Sequence, residues 1–221
     1  MTPEHETETL LVIDTATEAC SVALFDCGVL IASDHAVMGR GHAERLVPMI
    51  AGLPDKGRAA HILVNCGPGS FTGVRVGLAA ARALGLAWSA PVRGYSTHAL
   101  VAAMALDMRT DMPGVDVVMT GGHGEYFVQS FDQTGKATGP LASLAPDAAA
   151  RACRQMLVAG SMAESVIALR GDGIALALLP DARSAPLLAA SARSLPADPV
   201  YGRGADAKPM AAPAARALTP G

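Results

Sequence analysis

Apolar and polar positions divide the chain into short units of two kinds. LLVID (10–14) is an unbroken apolar run closing on an acid, and CSVALFD (20–26) is again strand-like. Cys27-Gly28 turns the chain, and VLIASDHAV follows, apolar and branched at its start. Residues 10–37 therefore read as a three-strand antiparallel meander. The first strand belongs inside the sheet, because it is apolar on both faces. From His42 the period becomes helical: Leu46, Val47, Met49, Ile50 and Leu53 recur at steps of three and four, and Pro54 and Gly57 close the helix.

A fully apolar strand, His61 to Cys66, leads into the loop GPGSFTG and then into VRVGLAAARALGLAW, rich in helix formers but with two internal glycines. Gly77, Ala81 and Gly85 stand four residues apart and leave one helix face nearly flat. An interior glycine costs about 1 kcal/mol relative to alanine, so close packing must offset it, on the chain's own sheet or on another surface. PVRGYS is the next strand, and a helix is predicted from Thr97 to Met108 with Ser96 or Thr97 as N-cap. The pattern then repeats. VDVVMT and EYFVQSFD read as strands, Gly135 as a turn, PDAAARACRQM as a short helix, MLVAG as a third strand and SAPLLAASARSL as a last amphipathic helix. This predicts two related α/β subdomains, 10–100 and 101–205, between a disordered N-terminus (1–9) and a flexible tail (206–221).

Composition narrows the class. Of 221 residues 51% are hydrophobic and 17% charged, which excludes intrinsic disorder as the dominant state. Aromatics are 4% while glycines number 23, so the core must be built from small side chains. A net charge of -3 offers no overall electrostatic footprint for a nucleic acid, so any tRNA is expected to be reached indirectly, through a partner. MTPEHETETL is acidic and polar, unlike a secretory signal, and the apolar stretch from Val76 to Val92 is short and carries Arg82. No membrane association and a cytoplasmic location are the expectations, with Cys20, Cys27, Cys66 and Cys153 as reduced thiols.

Tests of chemistry mostly fail. GPGSFTG lacks the lysine and spacing of a Walker loop, the third glycine of a Rossmann loop and the Gly-x-Ser-x-Gly frame of a nucleophile elbow. What remains is a strand-to-helix turn in which Gly67, Gly69 and Gly73 permit close backbone approach, Ser70 or Thr72 caps the helix, and the free N–H groups favour an anion. It reads as a structural turn or as a phosphate seam. Arg75 opposes the helix dipole unless it meets a carboxylate or a phosphate. Asp14 and Thr15, at the end of the first strand, could hold a phosphate-bound magnesium if a glycine let the phosphate near, but Ala16 stands there; Asp14 serves equally well as a turn cap. Among His5, His35, His42, His61, His98 and His123 there is no H-x-x-x-H or H-E-x-x-H pair, so no metal site and no catalytic residue is assigned.

Several stretches carry a resemblance: IDTATEACSVAL (13–24); Arg40, His42, Glu44, Leu46, Pro48 and Ile50 in an R-x-H-x-E-x-L-x-P-x-I pattern; GPGSFTGVRVG (67–77); YSTHAL (95–100); and PVYGRGADAK (199–208). Together they resemble the TsaB (YeaZ) family of bacterial tRNA threonylcarbamoyladenosine biosynthesis proteins. The resemblance implies an α/β fold of the actin-like ATPase (ASKHA, ribonuclease H-like) kind, with two subdomains each holding a mixed sheet and flanking helices. It implies a non-catalytic subunit that binds and stabilises TsaD, helps recruit TsaE, and pairs with a second copy of itself when TsaD is absent. The implied docking surface is His42, Glu44, Leu46, Val47, Met49 and Ile50 on one helix, with Gly77, Leu78, Ala81, Arg82 and Gly85 on the next. No cofactor is implied for the isolated chain, while ATP or ADP with Mg belongs to the complex interface. One departure is plain: where many members carry Asp-Ala-Arg-x-x-Glu-x-Tyr, this chain has Thr120 to Phe127 and keeps only Glu125 and no Asp or Arg. The rival readings are an independent ATP-binding or sugar-kinase-like enzyme on the same fold, and a peptidase acting on TsaD.

Overall fold

The computed structural model describes residues 8–39, 41–200 and 202. Residues 1–7, Arg40, Tyr201 and 203–221 lie outside it, and with them the expectations for the N-terminus, Arg40 and the tail from 206.

The first lobe opens with β1 (Leu10–Asp14), β2 (Ala19–Asp26) and β3 (Val29–Val37), the predicted meander. Helix α1 (His42–Ala51), β4 (His61–Asn65), α2 (Phe71–Trp88) and β5 (Val92–Tyr95) follow. The strand order is β3-β2-β1-β4-β5. β1 pairs antiparallel with β2 (Val12 opposite Ala23) and parallel with β4 (Val12 opposite Leu63), so it is interior, as its two apolar faces require. α1 stops at Ala51 before Gly52 instead of running to Pro54, and Leu53 turns back into the core, 5% exposed.

After α3 (Thr97–Met108) the same plan returns: β6 (Gly114–Thr120), β7 (Tyr126–Asp132), β8 (Ala142–Leu144), α4 (Pro146–Ala152), β9 (Leu157–Ala159), α5 (Ala163–Arg170) and β10 (Ile174–Leu176). Its order, β10-β9-β6-β7-β8, repeats the first sheet strand for strand. β6 occupies the place of β1, antiparallel to β7 and parallel to β9. The doubling expected from sequence is therefore present, with β8, α5 and β10 added to it.

Alternation along β1 explains the layering. Leu11 and Ile13 meet α1 and α2 through Leu46, Met49, Val74, Leu78 and Ala81, while Val12 faces Leu100 of α3. Val101, Ala102 and Ala105 of α3 pack on Val115, Val117 and Leu157 of the second sheet, so α3 lies between the two sheets. α4 and α5 cover the far side through Ala149, Cys153, Ala163 and Val166. A boundary at residue 100 thus falls inside the helix that both lobes share.

Two expectations are corrected beyond α3. Residues 184–195 form no amphipathic helix; they make 3-10 turns over Ala182–Leu187 and Ala190–Arg193, since Pro186 lacks the N–H that a longer helix needs. The segment also does not stay with the second subdomain. The N–H of Ala182 donates to Ser21 Oγ at 3.0 Å, Gly94 and Leu195 exchange backbone hydrogen bonds, and the N–H of Val200 donates to the Cys66 carbonyl at 2.7 Å. Residues 181–200 strap back onto the first lobe.

Candidate functional site

The lobes face each other across a cleft of about 830 Å³. Ala16, Thr17, Glu18, Gly69, Ser70 and Arg75 form its first-lobe wall; Thr120, Gly121, His123 and Ser161 face them, and Val200 closes one side. The turn after β1 and the start of α2 meet at this wall, so the candidate phosphate seam is tested here.

Asp14 does not open into the cleft. It is 1% exposed, and its Oδ2 accepts from the Asn65 amide and from the Tyr95 hydroxyl, each at 2.7 Å, while Oδ1 accepts from the N–H of Ala16 at 3.2 Å. Asn65 Oδ1 in turn accepts from the N–H of Gly67 at 2.7 Å and from the Thr97 hydroxyl at 2.9 Å. Burial pushes the Asp14 carboxyl up from 3.8 to about 6, against the pull of those three hydrogen bonds. It also drives the Tyr95 phenol well above its ordinary value, with the Asp14 charge as the next cause. The strand-end acid pins β1, β4 and β5 together.

The glycines have an internal use. A Cβ on Gly69 would stand 2.0 Å from the Ala16 carbonyl oxygen, one on Gly73 2.1 Å from the Thr15 carbonyl oxygen, and one on Gly77 2.5 Å from Thr15 Oγ1. These are three positions, two steps of four residues, along one side of the loop and α2, all pressed onto the turn after β1. Ser70 donates its N–H to the Ala16 carbonyl at 2.7 Å and caps α2 by accepting from the N–H of Gly73 at 3.2 Å; Thr15 donates its hydroxyl to the Gly73 carbonyl at 2.7 Å. The space a phosphate would need against Asp14 and Thr15 is filled by the chain's own backbone. Asp14, Thr15, Gly67 and Gly73 do not fit a magnesium-bound phosphate, and only Ser70, Thr72 and Arg75 of the candidate seam are exposed. Arg75 sets its guanidinium over the Phe71 ring, 3.4 Å from the centroid, a cation–π contact that the sequence did not show.

Across the cleft, the divergent segment forms a turn at Gly122–Gly124 with His123 left-handed at φ 58°. Glu125 accepts from the Ser143 hydroxyl at 2.5 Å, tied to β8. His98 reaches from α3 to the Phe127 carbonyl at 3.0 Å, and burial lowers its pKa to about 4, so it stays neutral and links the lobes. Burial also raises the thiols of Cys20 and Cys66 to about 11 and of Cys153 to about 12, which removes them as nucleophiles. Among the described residues no three His, Cys, Asp or Glu side chains group to hold a metal.

The expected docking set divides sharply. Leu46, Met49, Ile50, Leu78 and Ala81 are at most 4% exposed, and His42, Gly77 and Gly85 are buried too. A Cβ on Gly85 would meet Val92 at 2.5 Å, so the small-residue stripe packs on the chain's own sheet and offers no seam to a partner. Of that set Glu44, Val47 and Arg82 remain exposed, and Arg82 donates to Asp198 and to the Ala197 carbonyl, each at 2.6 Å. The outward side of the two helices carries residues the sequence reading missed. Leu86 is 86% and Val47 63% exposed, with Ala79 and Ala83 alongside Leu86 on α2. Half a turn from the buried 77/81/85 row, the helical period marks 79, 83 and 86 as outward.

YeaZ from Pseudomonas aeruginosa superposes with a TM-score of 0.74 at 32% identity, covering 87% of this chain and 99% of that one. The chain belongs to the TsaB (YeaZ) family. A second P. aeruginosa structure, described as an uncharacterized protein with similarity to peptidase YEAZ, matches equally well, with TM-score 0.74 and 32% identity over 88% of this chain and 99% of that one. The family model for TsaD, tRNA N6-adenosine threonylcarbamoyltransferase, matches residues 35–183, in keeping with the actin-like ATPase fold of the two lobes. The tRNA threonylcarbamoyladenosine biosynthesis protein TsaB of Escherichia coli is 41% identical over 93 residues, 40% of each chain. That of Haemophilus influenzae is 38% identical over 105 residues, 45% of this chain and 44% of the relative. The chain thus spans under half the length of these curated relatives.

Proposed function

We propose that this chain is a non-catalytic subunit of the machinery that builds threonylcarbamoyladenosine on tRNA, and that it docks a TsaD-type subunit through the outward side of α1 and α2. Recruitment of TsaE belongs to the resulting complex, and in the absence of TsaD the same side pairs with a second copy. The observation that carries the non-catalytic reading is the closed turn: Asp14 is saturated by Asn65, Tyr95 and the Ala16 N–H, and Gly69 and Gly73 seat the helix start directly on Ala16 and Thr15. The docking side is supported by the large exposed aliphatics Leu86 and Val47 on two helices that cover the same sheet face. Any ATP or ADP with Mg would belong to the complex. The peptidase reading finds no support in the raised pKa values of the buried thiols or in His42 and His98, whose Nε2 atoms face backbone carbonyls. The test is depletion of the gene with readout of modified adenosine in tRNA, rescued by the wild-type chain. Intact modification after depletion refutes the role, and Mg-ATP binding or turnover by the isolated chain refutes its non-catalytic form.

A further inference from the structure

On the far side of the second lobe, α4 and α5 border a depression of about 480 Å³ into which Arg151, Arg154 and Arg170 converge, with Asp147 and Leu169 beside them. The frame is rigid. Asp116, fully buried, accepts the N–H groups of Arg154 and Gln155 at 2.6 and 2.7 Å and the Ser130 hydroxyl at 2.5 Å, which fixes the backbone under Arg154. Arg170 lies along the floor, donating to the Gln155 carbonyl and to Asp172 Oδ1, each at 2.7 Å. Arg151, in the last turn of α4, and Arg154, just beyond it, are exposed, and among the described residues neither guanidinium makes a hydrogen bond or an ion pair. Asp172 offsets Arg170, so the depression keeps two unspent positive charges against Asp147, on a chain whose net charge is -3.

Two guanidinium forks on a fixed backbone match the oxygens of phosphate groups, which they bind bidentately. No aromatic side chain lines the depression to stack a base, so the contact it offers is to a backbone and not to a sequence. We infer that this depression binds the phosphate backbone of RNA, with Arg151 and Arg154 as the contacting residues. The inference rests on the proposed role in tRNA modification, and it supplies a direct contact where the net charge alone implied an indirect one.

The test is fluorescence anisotropy of a tRNA transcript with the full chain in its TsaD complex, titrated from about 50 to about 200 mM salt, comparing wild type with the double variant Arg151→Ala/Arg154→Ala. Losing two phosphate contacts is expected to lower affinity roughly tenfold at the low-salt end and to flatten the slope of log affinity against log salt by about 1.5. Asp147→Asn is expected to tighten binding severalfold, and the double lysine variant to retain part of it. Matching thermal melts establish that the variants fold. Unchanged affinity and slope in the double variant, or no tRNA binding by the wild-type complex, overturns the inference. So does preference for an acidic peptide over RNA at equal salt, which makes the depression a protein contact. So does inorganic phosphate that binds without competing with RNA, which makes it a free-anion site. Failure of the wild-type chain to restore tRNA modification in depleted cells removes the parent role as well; restoration by both chains with unchanged binding removes the depression alone.

Discussion

Replacing Asp14 by asparagine separates an acid sealed inside the fold from one that holds a cation at a cleft. A magnesium-holding carboxylate stays ionised well into the acid range. Asp14 is pushed from 3.8 to about 6 by burial, so the folded protein holds its proton more tightly than the unfolded chain does. The sign follows: the stability tied to this proton is fully present below about pH 4 and is lost as pH rises through 6. A difference of about 2 pH units corresponds to roughly 3 kcal/mol, most of it falling between pH 4 and 7. The amide of the Asp14→Asn variant cannot titrate. It also offers one carbonyl where the carboxylate accepted from Asn65, Tyr95 and the Ala16 N–H, leaving at least one donor unsatisfied at a pH-independent cost of about 1 to 3 kcal/mol. His98, lowered to about 4, loses its own contribution as pH falls from 6.5, so wild-type stability alone mixes two opposite trends. Urea denaturation of both proteins from pH 4 to 7.5 isolates Asp14 as the difference between them, since His98 is common to both. The wild type's stability relative to the variant is expected to fall by about 2 kcal/mol or more across that range, unaffected by magnesium. A flat difference, or one that rises with pH, refutes the sealed-acid argument.

Three further outcomes follow from burial and hydrogen bonding. Ala81→Arg is expected to cost roughly 3 kcal/mol or more, lowering the melting temperature instead of merely splitting a complex, because Ala81 is 0% exposed against the chain's own sheet; a variant that melts like wild type contradicts this. Asp116→Ala leaves two N–H groups and the Ser130 hydroxyl without their acceptor, and a loss of about 3 kcal/mol is expected in chemical denaturation, with Asp116→Asn intermediate. In thiol titration of the native chain Cys27 alone is expected to react promptly, and Cys20, Cys66 and Cys153 only after denaturation, since those three are buried; fast reaction of more than one thiol contradicts the packing.

How far the sequence could be read depended on the length of each element and the reach of each contact. β1 and β2 stand out as apolar runs bounded by turn residues, α1 by its recurrence at three and four residues, and α2 and α3 as runs of helix formers behind a capping residue; α3 has no polar side because both sheets pack on it. β8 and β10 are three residues each, too short to display any period, and α5 turns only a modest apolar side to the sheet; their existence is clear only from the repeat of the first sheet's order. The 184–195 segment reads as helical by spacing, but Pro186 and the return of the chain to Ser21 and Gly94 override that local preference. At the site, the four-residue spacing of Gly69, Gly73 and Gly77 was visible, while its reason was not. Their neighbours are the Ala16 and Thr15 carbonyls and the Thr15 hydroxyl, Thr15 lying 58 residues away from Gly73. The same holds for Asp14, whose partners Asn65 and Tyr95 lie 51 and 81 residues on. Which side of α2 is outward was legible in principle, because a glycine-alanine row that packs inward leaves Ala79, Ala83 and Leu86 opposite.

Docking through that outward side is best measured by sedimentation of the chain with TsaD, comparing wild type with Leu86→Arg. Leu86 is 86% exposed, so the variant is expected to keep its melting temperature within about a degree or two, as surface substitutions do. It is expected to lose the heterodimer at concentrations where the wild type forms it. A Leu86→Arg chain that is folded and still sediments with TsaD at wild-type affinity contradicts the placement of the partner on α1 and α2.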